Sequence, residues 1–219
     1  GYDIVRRLEK LPNETEDVLG LPELAMLVAT DLAVLDHKDG TVTLIANAIN
    51  YDNSDERVDE AWLDAEKRLD AMEAALGSQA PSSASSFDRT AKAEFTRETT
   101  GIEYQESVRV AQDRIRAGDA FQIVLSQRFA TKCQASALDV YRVLRATNPS
   151  PYMFLFRIPE LTGPGQELGT KVAFDVVGSS PEALVKVTGS DVVIHPIAGT
   201  RPRGKTTAED ESIANELLK

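Results

Sequence analysis

Two short reversals constrain this chain more than any other feature. Asp39-Gly40 stands between the runs Glu23 to Asp36 and Thr41 to Ile49, and Gly189-Ser190 between Ala183 to Thr188 and Asp191 to His195. Such dipeptides between strand-forming residues fold the chain back as antiparallel hairpins. The order is therefore not one of alternating βαβ units, whose parallel strands need long crossovers. Amphipathic helices lie between the hairpins. Within Asp52 to Leu76, Val58, Trp62, Ala65, Leu69, Met72 and Leu76 recur at helical spacing. Within Ile102 to Ala117, Tyr104, Val108, Ala111 and Ile115 share a face, and Gly118 ends the run. Ala137 to Thr147 and Glu209 to Lys219 read as further helices. Phe121 to Thr131, Pro151 to Ile158 and Val172 to Val177 read as strands, with a Gly- and Pro-rich loop from Pro159 to Gly169. The expected class is α+β, antiparallel sheets flanked by helices. Residues 1–76 form a hairpin-and-helix region, 77–100 a Ser/Ala/Thr-rich linker, and 101–219 a second region.

Charge narrows the partners. The 219 residues carry a formal net charge of -11, which repels phosphate backbones and anionic lipid and argues against nucleic acid and membrane partners. An anionic substrate would need a local basic pocket set against that field. No apolar run approaches the roughly 20 residues of a membrane-spanning helix. A lone cysteine, Cys133, forms no internal disulfide, which fits a reducing cytoplasmic setting. Neither His37 nor His195 has metal-ligand spacing to another His or Cys. Both ends, Gly1-Tyr2-Asp3-Ile4 and the uncapped helix running to Lys219, read as cuts in something longer.

One stretch matches a nucleotide-binding pattern. Gly199-Thr200-Arg201-Pro202-Arg203-Gly204-Lys205-Thr206 satisfies G-x-x-x-x-G-K-[ST], the loop that cradles phosphates with backbone N–H groups. The loop works when a parallel strand feeds it, whereas here the preceding strand belongs to a hairpin. Pro202 removes one N–H donor from the cradle. The candidate metal-binding aspartates, Asp36 and Asp175, lie upstream of the loop instead of on a later strand. A solvated basic loop running into the last helix is the simpler reading.

Four ordered segments carry a different message: Asp119 to Phe129 (DAFQIVLSQRF), Asn148 to Phe154 (NPSPYMF), Gly178 to Glu182 (GSSPE) and Pro196 to Gly204 (PIAGTRPRG). Together they resemble the chorismate-utilising enzymes, and within them the large subunits of anthranilate synthases. The likeness is dense from Asp119 to Gly204 and looser back to Gly1. It implies that chorismate loses its 4-hydroxyl while ammonia adds at C2, and that pyruvate then leaves to give anthranilate. Hydroxide leaves poorly without a proton donor. The resemblance assigns that acid to Glu182, whose pKa a dianionic substrate would raise. Gln122 stands where water-adding relatives carry a lysine base, and ammonia needs none. Ala198 stands where aminodeoxychorismate synthases carry a lysine that attacks C2. Gly199 and Thr200 would bind chorismate beside it. The plainer readings are a solvated Glu182, a polar strand residue at Gln122 and turn residues at 199–200.

The same resemblance places a tryptophan pocket at Asn148, Pro151, Tyr152, Met153 and Phe154, without the Leu-Leu-Glu-Ser stretch that completes it in feedback-inhibited relatives. An aromatic and methionine cluster on a strand is more commonly core. It also implies Mg²⁺, with ligands downstream of Lys219 and none within these residues, and a glutamine amidotransferase that supplies ammonia. On this reading the segment alone is inactive. The alternatives are aminodeoxychorismate or isochorismate synthase chemistry, or a non-catalytic tryptophan-sensing or subunit-docking module.

Overall fold

A computed structural model describes residues 2–12, 16–79, 88, 90, 92–160, 171–194 and 201–217. The chain divides into two compact units, Gly1–Ala84 and Ser85–Lys219.

The first unit opens with a short 3₁₀ helix, Tyr2–Arg7. Its sheet is a hairpin of β1 (Asp31–Asp36) and β2 (Thr41–Ala46), paired from Asp31↔Ala46 to Asp36↔Thr41. The Asp36 carboxylate accepts the backbone N–H groups of Lys38 (2.8 Å) and Asp39 (3.3 Å), and Gly40 takes φ +67°, so the turn is built from the residue types the sequence supplies. The strand expected from Glu23 begins only at Asp31. β2 ends at Ala46, and the Asn47 backbone N–H closes on the Thr30 carbonyl at 2.8 Å, so residues before Thr30 meet no ladder partner among the described residues.

Helix α1 (Val58–Gly77) begins at the first residue of its apolar period and not at Asp52, where the helical segment was expected to start. Asp52 captures the Ser54 N–H (3.1 Å) and hydroxyl (2.9 Å), and Asn53 is left-handed at φ +53°, which sets a turn where a helix was expected. α1 packs on β2. Arg68 fastens the two: its guanidinium reaches Asp31 of β1, donates to the Asn47 carbonyl at 3.0 Å and pairs with Asp64 at 2.8 Å. Ala65, 6% exposed, is the single buried side chain among the described residues.

In the second unit β3 (Thr96–Arg97) pairs with β4 (Phe129–Ala130), and the Arg97 guanidinium lies 5.5 Å from the Phe129 ring centre. Between them runs α2 (Gly101–Ala117). Thr100 and Glu103 form a reciprocal capping box at its start, and Gly118 ends it in the left-handed region at φ 85°. The apolar run from Phe121 does not become a strand before Phe129: residues 121–127 join no ladder among the described residues. Phe121 and Val124 are correspondingly exposed.

Helix α3 (Ala137–Thr147) follows, capped by the Ser136 hydroxyl, which accepts the Asp139 N–H at 3.2 Å. It packs on both strands of the longest hairpin, β5 (Tyr152–Pro159) and β6 (Val172–Ser180). Their register runs from Tyr152↔Ser180 through Phe156↔Val176 to Pro159↔Val172, with an irregularity at Ile158/Pro159 where proline supplies no N–H. Arg157 and Asp175 are directly opposed and ion-paired at 2.9 Å. A short hairpin of β7 (Lys186–Thr188) and β8 (Asp191–Val193) turns through Gly189 at φ 62° and Ser190. The last element is α4 (Thr207–Leu217).

Candidate functional site

The β5–β6 register decides which motifs meet. Tyr152, Met153 and Phe154 stand opposite Ser180, Ser179 and Gly178, so the NPSPYMF and GSSPE segments are neighbours along one antiparallel pair. Phe154 lies over Gly178: a Cβ added there would fall 2.2 Å from the ring's Cζ and 2.5 Å from Cε1, so only glycine leaves room for the ring. The Phe154 and Phe156 rings are 5.1 Å apart on the same strand face. Met153 and Phe154 are half-buried.

Two side-chain bonds extend this pairing past the ladder. The Ser150 hydroxyl donates to the Ser180 carbonyl at 2.8 Å, and the Ser179 hydroxyl donates to the Asn148 carbonyl at 3.0 Å. Glu182 follows in an irregular turn and is exposed. Its backbone closes on Ser180, whose hydroxyl donates to the Glu182 carbonyl at 3.2 Å and receives the Glu182 N–H at 3.4 Å. Asn148, Pro151, Tyr152, Met153, Phe154 and Glu182 are thus gathered by one hairpin. Gln122 is exposed in the ladder-free run 121–127. Ala198, Gly199, Thr200 and His195 lie outside the described residues. The three serines were not singled out from sequence, although a signal was present: Ser150-Pro151 precedes β5 and Ser180-Pro181 ends β6.

Two N–H groups of the basic loop are taken up within the chain, where a phosphate would need them. Gly204 N–H donates to Asp210 at 2.7 Å and Lys205 N–H to Glu209 at 2.8 Å. Arg203 pairs with the same Asp210 in bidentate fashion, through its Nε and one terminal nitrogen. Hydrogen bonds from the Arg203 side chain and then the Gly204 backbone hold the Asp210 carboxyl below the usual aspartate range. Carboxylates of the first turn of α4 therefore sit where a nucleotide's phosphates would have to go. Asp36 and Asp175 are engaged as well, by a turn and by Arg157. Among the described residues no group of three or more His, Cys, Asp or Glu side chains is arranged to hold a metal ion, and no helix is long and apolar enough to cross a membrane.

A family described as chorismate binding enzyme matches residues 1–219, the whole chain. The chain belongs to the chorismate binding enzymes. Among its relatives in this family, anthranilate synthase component 1 of Mycobacterium tuberculosis (strain ATCC 25618 / H37Rv) is 50% identical over 218 residues, which is 100% of this chain and 41% of the relative. The Mycolicibacterium smegmatis protein of the same name is 51% identical over 218 residues, covering 100% of this chain and 40% of that relative. A solved structure, anthranilate synthase component I from Streptococcus pneumoniae TIGR4, superposes with a TM-score of 0.70 at 30% identity, over 100% of this chain and 43% of that one. The chain thus spans well under half the length of the curated relatives it matches. Mixed helices and antiparallel hairpins of a chorismate binding enzyme are what the sequence led us to expect, and the described residues have them.

Proposed function

We propose that these residues are a segment of anthranilate synthase component I, which joins chorismate and ammonia to give anthranilate and pyruvate in tryptophan biosynthesis. The observation that carries this reading is the 50% identity to component 1 of M. tuberculosis along all of this chain. Glu182 protonates the departing 4-hydroxyl. Gln122, being neutral, leaves ammonia as the nucleophile, and Ala198 leaves C2 open because it has no amine of its own. Gly199 and Thr200 bind chorismate, the glycine by close backbone approach and the threonine through its hydroxyl.

Three further parts of the reading follow from the same likeness. A glutamine amidotransferase delivers the ammonia, in the cytoplasm. Tryptophan acts as feedback inhibitor at Asn148, Pro151, Tyr152, Met153 and Phe154, a run that β5 lays beside the strand leading to Glu182. Magnesium has no fitting cluster among the described residues. Its ligands belong to the remainder of the subunit.

The test is product analysis on the complete subunit encoded by the gene, supplied with chorismate, an ammonium salt and Mg²⁺. Anthranilate fluorescence that Glu182→Gln abolishes is the expected outcome. Aminodeoxychorismate or isochorismate as the product overturns the reading. Introducing the missing amine with Ala198→Lys should suppress anthranilate formation. The 219 residues alone should turn over no chorismate.

A further inference from the structure

Beyond the last ladder pair, Tyr152↔Ser180, the hairpin reaches two prolines at once, Pro151 and Pro181. Neither has an N–H, so backbone pairing cannot continue toward Glu182. Hydroxyl groups take over. Ser150, half-buried, donates to the Ser180 carbonyl at 2.8 Å, and Ser179 donates across to the Asn148 carbonyl at 3.0 Å. Ser180 then grips the Glu182 backbone on both sides, through its carbonyl at 3.2 Å and its N–H at 3.4 Å.

We propose that Ser150 and Ser180 are positioning residues that fix the place of Glu182. The backbone at 182 is free of any ladder and is exposed. The clasp adds two hydrogen bonds to the stiffness of Pro181 in setting this turn. An acid must stand within hydrogen-bond reach of the atom it protonates, and a displacement of about 1 Å costs a large factor in rate. Ser150 acts on Glu182 through Ser180, and neither serine is asked to touch the reacting atoms. This inference rests on the proposed role of Glu182 as the proton donor.

The test uses the complete subunit and compares Ser150→Ala, Ser180→Ala, Ser150→Thr and Glu182→Gln in ammonia-dependent anthranilate formation. Each alanine variant should lower kcat about tenfold while KM for chorismate stays within about twofold, because the clasp acts on chemistry rather than on substrate affinity. Ser150→Thr keeps a hydroxyl at the same distance along the side chain and should restore most of kcat. Far-UV circular dichroism confirms that the variants fold. If Glu182→Gln abolishes turnover while both alanine variants keep the parental kcat, the clasp is irrelevant and the inference fails alone. If Ser150→Thr behaves like Ser150→Ala, hydrogen bonding is not the cause and the inference fails too. If Glu182→Gln is fully active, Glu182 is not the acid and the functional reading itself fails.

Discussion

Replacing Gly178 by alanine tests the geometry of the hairpin directly. The new Cβ would fall 2.2, 2.5 and 2.8 Å from Cζ, Cε1 and Cε2 of Phe154, all inside contact distance. These atoms are the far end of one ring, so the ring can swing away about its own torsions. The cost is then an off-position ring and its lost cover, about 1–2 kcal/mol within the range for overpacked sites. Against it stands the lower unfolded-state entropy of alanine, a gain of about 0.4–1 kcal/mol, since Gly178 has no left-handed φ that would forbid a side chain. The net loss is about 1 kcal/mol, a shift of roughly 0.5 M in urea midpoint at ordinary slopes. Shortening the ring removes the collision. In a Phe154→Leu background, Gly178→Ala should become neutral or stabilising by about 0.5 kcal/mol, leaving a coupling of about 1.5 kcal/mol between the two sites. Urea unfolding of the four proteins, followed by circular dichroism, measures it. Equal costs in both backgrounds would refute the reasoning, because the penalty would then have nothing to do with the ring.

Gly204→Ala should behave differently, because its Cβ would meet the Asp210 backbone N at 2.2 Å and cannot be accommodated by a side-chain rotation. Amide exchange at the start of α4 should rise sharply, without relief from substitutions of neighbouring side chains. The Glu103 carboxyl is held below its usual range by the backbone and hydroxyl of Thr100, and Asp210 likewise by Arg203 and Gly204. Depressed carboxylates contribute stability that is present above their unfolded values and lost as pH falls through the folded ones. Helicity followed by circular dichroism should therefore hold at neutral pH and decline on acidification, with Glu103→Gln flattening part of that decline. Arg68→Ala should loosen the contact of α1 with the β1–β2 hairpin, read as faster exchange at Asn47 and along β1. Arg68→Lys should not restore protection, since a single ammonium cannot serve Asp31, Asp64 and the Asn47 carbonyl together.

What could be seen in the sequence was whatever local chemistry decides. Helix α3 was legible to the residue, and its Ser136 cap, directly before the segment, is local chemistry of that kind. The end of α2 at Gly118 was legible for the same reason. Strand limits were not, since a strand exists only where a partner lies beside it. Glu23 to Thr30 and Phe121 to Ser126 have strand composition and no ladder among the described residues. Residues 52–57 stay outside α1 where Asp52 bonds Ser54, a local competition that the expected helix from Asp52 did not include. At the candidate site the motif residues were readable one by one. Their juxtaposition was not, because Asn148 and Ser179 are brought within hydrogen-bond reach by a pairing register between strands well separated in sequence.

The ladder-free run from Phe121 to Gln127 also has a meaning in time. The β1–β2 and β7–β8 hairpins close over turns of a few residues, a matter of about microseconds. Run 121–127 has no ladder partner among the described residues, so any partner it takes is distant in sequence, and loop-closure entropy makes such pairings late. Until then its backbone N–H and C=O groups, outside any ladder among the described residues, and exposed Phe121 and Val124 offer a template to any other extended chain. Synthesis of this polypeptide should thus pass through an interval of vulnerability to misassembly at this run. Charged substitutions there would be expected to improve soluble yield without touching either hairpin.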